Sequence, residues 1–98
     1  MIRKFVLRPE ARREFDQAFD RYCQIEQKLA FDFAGSVQES FDRIAENPEA
    51  FQVVFRNVRR AVLRRFPYSI LYRIQKDRLE VIAVFHSRRM PEEWQKRI

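Results

Sequence analysis

The sequence predicts an α+β fold, in which a helical hairpin packs on a small, mostly antiparallel β-sheet. Two patterns carry this prediction. Apolar residues recur every three or four positions up to Pro48, as on one face of a helix, and apolar and polar residues alternate from Val58 onward, as in strands. The order of elements is β-α-α-β-β-β. A chain of 98 residues is long enough for a single core, so residues 1–98 are expected to form one domain.

A strand and two helices are predicted before Pro48. Residues 2–7, "IRKFVL", favour β-structure, and Pro9 then stands where the first turn of a helix accepts proline. The first helix is expected to end at about Lys28 and the second before Pro48, because proline disfavours helical geometry in the preceding residue. Their apolar stripes consist of Phe15, Ala18, Phe19, Tyr22, Ile25 and Leu29, and then of Phe33, Val37, Phe41, Ile44 and Ala45.

Three strands are predicted in the second half, over residues 58–66, 68–75 and 79–86. The segment before them, "PEAFQVVFRN", is interpreted as a loop with some extended character. A tight turn at residues 76–77 joins the last two strands, and "LEVIAVFH" is apolar enough for an interior strand covered on both faces. One further helical turn is expected after Pro91, anchored by Trp94.

The first of these three strands carries arginine on both of its faces. Side chains alternate along a strand, so Arg60 and Arg64 should face one side and Arg59 and Arg65 the other. Arginine on both faces favours an edge strand, where charge also discourages aggregation. Since the helices are expected on one side of the sheet, its opposite face is predicted to be free for function.

The net charge of +6 is concentrated in the second half of the chain. The first 50 residues carry eight Lys and Arg against ten Asp and Glu, a net −2, whereas the remaining residues carry twelve against four, a net +8. This asymmetry suits an anionic partner such as nucleic acid or an acidic protein segment. No apolar run approaches the roughly 20 residues of a membrane span, so no membrane partner is expected.

Cys23 is the only cysteine, which excludes an intramolecular disulfide and favours a reducing, cytoplasmic location. Its place beside Phe19 and Tyr22 predicts a small buried apolar side chain rather than a reactive thiol. Leu63 and Phe41 are likewise predicted to lie in the core.

The two runs "VRRAVLRRFPYSILYRI" and "LEVIAVFHSRRMPEEW" resemble the RelE/ParE superfamily, the toxins of type II toxin–antitoxin modules and plasmid stabilisation systems. The upstream "ARREFDQAFDRY" and "FDRIAENP" resemble the helical hairpin of that superfamily. The resemblance implies a β-α-α-β-β-β toxin that uses neither a cofactor nor a metal and is neutralised by a cognate antitoxin. We expect that antitoxin to contact the basic surface through an acidic amphipathic segment.

The superfamily divides in mechanism, and the resemblance implies two different targets. RelE-like members cut mRNA on the ribosome, whereas ParE-like members act on DNA gyrase. In a nuclease, His86 would serve as acid or base, and Arg64 and Arg88 would stabilise the transition-state phosphate.

This chain departs from the nuclease pattern in three respects. It has no lysine between Lys28 and Lys76, no tyrosine after Tyr72, and Ser87 in place of an aromatic residue after His86. A gyrase-directed or divergent toxin is therefore preferred over a ribosome-dependent mRNA endonuclease. A basic RNA- or protein-binding module without toxicity is the third interpretation.

Contacts with the antitoxin or the target are predicted for a set of arginines and aromatic residues. Each has a structural alternative: the arginines suit a solvated strand, His86 suits a strand end bonded to backbone, and the aromatic residues suit a core with a polar tip. The predicted contact residues are Arg59, Arg60, Arg64, Arg65, Tyr68, Tyr72, Arg89 and Trp94.

Overall fold

The computed structural model describes residues 4–98, which form two long helices, one short helix and a five-stranded sheet. The sheet order is β1-β5-β4-β3-β2, with β1 parallel to β5 and the other pairs antiparallel. The predicted α+β arrangement is confirmed. The elements are β1 (Lys4–Leu7), α1 (Pro9–Ile25), α2 (Gln27–Glu46), a 3₁₀ turn (Pro48–Ala50), β2 (Gln52–Phe55), β3 (Val58–Val62), β4 (Tyr68–Ile74), β5 (Arg78–His86) and α3 (Glu92–Gln95). Residues 2 and 3 of the predicted first strand lie outside the described residues.

A single extended residue, Glu26, joins the two long helices. Its φ and ψ are −164° and 129°, its N–H donates to the Tyr22 carbonyl, and its own carbonyl accepts the N–H of Leu29 at 3.0 Å. The first helix therefore ends at Ile25 and not at Lys28. Because this junction needs neither glycine nor proline, the local sequence carries no signal that marks it.

The segment predicted to be a loop contains β2, and this changes the position of its neighbour in the sheet. β2 pairs with β3 through Gln52 opposite Arg60 and Val53 opposite Arg59, so β3 is an internal strand and the edge prediction is wrong. An internal strand accommodates these arginines because their long aliphatic stems carry the charged ends away from the sheet. β3 also ends at Val62, earlier than predicted, and the chain turns through a positive φ of 69° at Arg65.

The main core lies between the helical hairpin and one face of the sheet. Leu63 is buried in it, and Phe41 is partly buried with its ring stacked on that of Phe5 at 4.7 Å. β5 lies between β1 and β4 with both of its faces covered, as predicted. Cys23 is only partly buried, and not fully buried as predicted.

The second face of the sheet is partly covered, which corrects the prediction that it is free. Trp94 of α3 lies over it, with its ring 5.8 Å from that of Phe55 in an edge-to-face arrangement. This smaller cluster buries Val58, Leu71, Ile82, Ala83, Phe85 and Trp94. The part that α3 does not cover forms a cleft.

Candidate functional site

Glu14 completes the edge of β5 where β1 ends. The parallel pairing runs only to Leu7 opposite Val81, so no strand of the described part of the chain accompanies the rest of β5 on that side. The N–H of Val84 instead donates to Oε1 of Glu14 at 3.1 Å. Beside it, the carbonyl of Ile82 accepts a hydrogen bond from Arg97, also at 3.1 Å. Side chains thus satisfy backbone groups that a longer β1 would have paired.

Glu14 also holds the C-terminal segment against the domain. The residue is 8% exposed and accepts hydrogen bonds from Arg89 at 3.1 Å and from Arg97 at 2.8 and 3.1 Å. Arg89 in addition pairs with Glu93 and lies over the ring of Phe85, 4.4 Å from its centroid. A buried carboxylate with two guanidinium partners thus anchors the segment that contains α3.

His86 lies at the end of β5, in surroundings that favour its neutral form. Its Nδ1 accepts the backbone N–H of Arg88 at 3.0 Å, so the proton of the neutral ring is on Nε2. Burial lowers the pKa of His86 below its ordinary value of 6.5, and the guanidinium groups of Arg88, Arg21 and Arg89 lower it further. The ring meets Tyr68 edge to face at 5.0 Å. These contacts match the strand-end alternative for this residue.

A cleft of about 260 Å³ lies on the second face of the sheet, and we call it the Arg60 cleft. Arg60 and Arg89 lie at its rim, while Leu71, Phe85 and Trp94 form its apolar floor. The strand register explains this arrangement, since Arg60 lies directly opposite Leu71 in the β3–β4 pair. The side chains of Ser69 and Ser87 add hydroxyl groups, and His86 and Gln95 add further polar groups to the lining.

Arg64 does not share a face with Arg60, contrary to the prediction. β3 ends before Arg64, so strand alternation no longer applies, and the residue lies beside α2. There its side chain is 3.6 Å from the carboxylate of Glu39, and the Ser36 hydroxyl donates to its carbonyl. Arg65 is exposed beside the ring of Phe66, at 6.0 Å. Arg60 therefore lies on the second face of the sheet, whereas Arg64 and Arg65 both lie beside the hairpin.

Arg59 and Tyr72 support the turn that precedes β2. Arg59 donates to the carbonyls of Glu49 and Phe51 at 2.9 and 2.8 Å, and the buried hydroxyl of Tyr72 donates to the carbonyl of Pro48 at 2.6 Å. Burial raises the pKa of Tyr72 to about 12. Both side chains are thus engaged within the fold.

The other two aromatic residues of the predicted contact set are also buried. Tyr68 is 4% exposed and accepts a hydrogen bond from Arg21 at 2.8 Å, and Trp94 is 5% exposed. Their rings belong to the packed interior, which matches their structural alternative. Trp94 still forms part of the floor of the Arg60 cleft.

Three further residues contact this site and were not predicted from the sequence: Glu14, Arg97 and Arg21. A signal for Glu14 was present, because it falls on the buried stripe of α1 between Ala11 and Ala18. A carboxylate at a stripe position predicts a buried charge that must find partners. The sequence contained no comparable signal for Arg97, which contacts Glu14 across almost the whole chain.

Comparison with known proteins identifies the family. The family model described as "ParE toxin of type II toxin-antitoxin system, parDE" matches residues 5–91. The chain belongs to the ParE toxin family. A solved structure titled "Chromosomal ParDE TA system from P. aeruginosa" aligns with this ParE-family chain at a TM-score of 0.75 and 17% identity, over 87% of this chain and 96% of that one. No curated protein matches it in sequence.

Membership in this family makes the chain a toxin of a type II toxin–antitoxin system, with an antitoxin as its partner. The resemblance to the RelE/ParE superfamily is thereby confirmed. None of the helices described within residues 4–98 is long and apolar enough to cross a membrane.

Proposed function

We propose that this ParE-family toxin acts on DNA gyrase and does not cleave mRNA. The observation that supports this most strongly is the surroundings of His86. Cleavage of RNA by general acid–base catalysis needs one group to take the proton of the 2′-hydroxyl and another to protonate the leaving oxygen. His86 is the only histidine in the chain, and its neutral ring suits at most one of these roles.

The neighbouring groups offer no second proton carrier of the required kind. Glu14 is buried, and both of its oxygens already accept hydrogen bonds within the fold, from Arg89, Arg97 and the Val84 N–H. Tyr68 is buried, and its hydroxyl accepts a hydrogen bond from Arg21. Among residues 4–98, no lysine lines the Arg60 cleft or the hollow beside Glu14 and His86. Inhibition of gyrase requires no proton transfer by the toxin, so this arrangement is compatible with it.

We further propose that the toxin acts in the cytoplasm and that its antitoxin neutralises it through an acidic amphipathic segment. Support for the acidic character comes from the net +8 of the second half and from arginines on both sides of the sheet. Arginine binds carboxylates in a bidentate manner, so such a segment would find complementary donors on this domain.

The test compares the wild-type protein with His86→Gln, which keeps a polar side chain at the strand end. We expect both proteins to inhibit supercoiling by purified gyrase and to arrest growth to a similar extent. Induced cells should show DNA-damage signalling and filaments, without cuts at codon positions in translated mRNA. Circular dichroism of His86→Gln provides the control for folding.

Two results would replace the proposal. Rapid codon-positioned cuts that disappear in a folded His86→Gln variant would establish the mRNA endonuclease, since loss of a proton-transfer group costs about 100-fold or more in rate. A protein that neither inhibits gyrase nor cuts mRNA nor arrests growth would support the third interpretation, a binding module without toxicity.

A further inference from the structure

We infer that the Arg60 cleft is a docking site for one acidic, apolar segment of the antitoxin, in which a carboxylate pairs with Arg60 and the neighbouring apolar side chain rests on Trp94. The inference rests on the antitoxin partnership of the proposed function and specifies where the acidic segment binds. It names a site on the second face of the sheet, away from the helical hairpin.

The charge of the cleft argues for an anionic partner. Two arginines and one histidine line it, and no Asp or Glu does so. Arg89 is already paired with Glu14 and Glu93, so its charge is largely compensated. Within residues 4–98 Arg60 has no ion-pair partner, and its side chain is exposed at the rim. One guanidinium group is therefore available for a carboxylate.

The floor of the cleft argues for an apolar group beside that charge. Leu71, Phe85 and Trp94 are each no more than 5% exposed overall, yet all three contribute to the lining. A cleft of about 260 Å³ accommodates one or two side chains, and not a folded element. Val62, which is 57% exposed on the same face of β3 as Arg60, extends this apolar surface toward the solvent.

The same features argue against a nucleic acid as the occupant. A nucleic-acid strand presents a series of phosphates, and its affinity comes from several cations that each neutralise one of them. The cleft offers one uncompensated guanidinium group. A single bidentate Arg–carboxylate pair beside an apolar contact is the chemistry of an acidic amphipathic peptide.

The experiment uses a short peptide in which glutamates alternate with leucine and phenylalanine. The chain has a single tryptophan, so the fluorescence of Trp94 and its indole N–H resonance report occupancy of the cleft directly. We expect saturable changes of both signals in the wild-type protein. Arg60→Gln should weaken binding about tenfold, whereas Arg13→Gln, at an exposed arginine of α1 outside the cleft, should leave it unchanged.

Matched probes decide between the possible occupants. A peptide with glutamine in place of every glutamate should bind as weakly as the acidic peptide binds Arg60→Gln. Three results would overturn the inference: no change at Trp94 at millimolar peptide, equal weakening by both substitutions, or a response to single-stranded RNA or DNA and not to the peptide. Inhibition of gyrase by the toxin is measured on the same wild-type sample. If the toxin binds the peptide but does not inhibit gyrase, only the proposed target is refuted. If it inhibits gyrase but does not bind the peptide, only this docking site is refuted.

Discussion

At the scale of single residues, Glu14 connects more parts of the molecule than any predicted site residue does. It belongs to α1, accepts the Val84 N–H of β5, and binds Arg89 and Arg97 of the C-terminal segment. A buried charge of this kind gives little net stability over an apolar pair, but its removal leaves other charges without partners. The arrangement thus makes the position of α3 depend on one carboxylate.

We predict that Glu14→Gln lowers the free energy of unfolding by roughly 2–3 kcal/mol in urea titrations. This is less than the loss for a fully buried pair, because Arg89 is half-exposed and can turn toward water. Asp16→Asn is the control, since Asp16 lies on the same helix in an exposed pair with Arg12 and its loss should cost less than about 0.5 kcal/mol. If the two substitutions lowered the free energy of unfolding equally, Glu14 would not be the anchor of the C-terminal segment.

His86 should titrate below 6.5 when its ring protons are followed by NMR. Because the pKa of His86 is lower in the folded protein, the unfolded chain takes up the proton at a higher pH than the folded protein does. The stability that His86 contributes is therefore fully present above pH 6.5, and it is lost as the pH falls from 6.5 through the lowered pKa of the folded protein. Arg88→Gln should raise the pKa of His86 toward 6.5, because Arg88 lowers this pKa more than Arg21 or Arg89 does. The exposed Arg65→Gln should leave it unchanged, and a wild-type titration at or above 6.5 would contradict the described environment.

At the scale of elements, the helices were predictable because their apolar stripes are long. The strand β2 was not predictable in the same way. It has only four residues, it comes shortly after a turn that begins at Pro48, and pairing with the later strand β3 holds it in place. β3 was predicted as an edge strand from the arginines on both of its faces, and it is internal because β2 pairs with it. Of the Arg60 cleft, the sequence predicted the arginine at the rim but not the floor. The floor forms only when β3, β4 and β5 pair in their observed register and α3 packs Trp94 against the sheet.

Core substitutions test the packing between the hairpin and the sheet. Leu63→Ala should lower the free energy of unfolding by about 2–5 kcal/mol, because Leu63 is buried and its truncation leaves a cavity. Phe41→Ala should fall at the lower end of that range, since its ring is only partly buried. The neighbouring Val62→Ala, at a 57% exposed position, should cost less than about 0.5 kcal/mol in the same denaturant titration. A Leu63→Ala midpoint equal to that of Val62→Ala would contradict the core assignment.

At the scale of the whole molecule, positive charge is distributed over separate surfaces. Arg60 faces the cleft on one side of the sheet, while Arg64 and Arg65 lie beside α2 on the other. Composition alone predicted an excess of +8 in the second half but not this division, because it arises where β3 ends. A partner that bound both the Arg60 cleft and the surface of Arg64 and Arg65 would have to wrap around the edge of the sheet, because the two surfaces lie on opposite sides of it.

The parallel pairing of β1 with β5 determines when the domain can complete its fold during synthesis. Lys4 lies opposite Arg78, so about three-quarters of the sequence separates the two residues, and such distant contacts form slowly because a long loop must close first. Within the domain β1 is synthesised well before β5. This pair of strands therefore cannot form until β5 has left the ribosome, and we expect the sheet to be completed in a late step of folding.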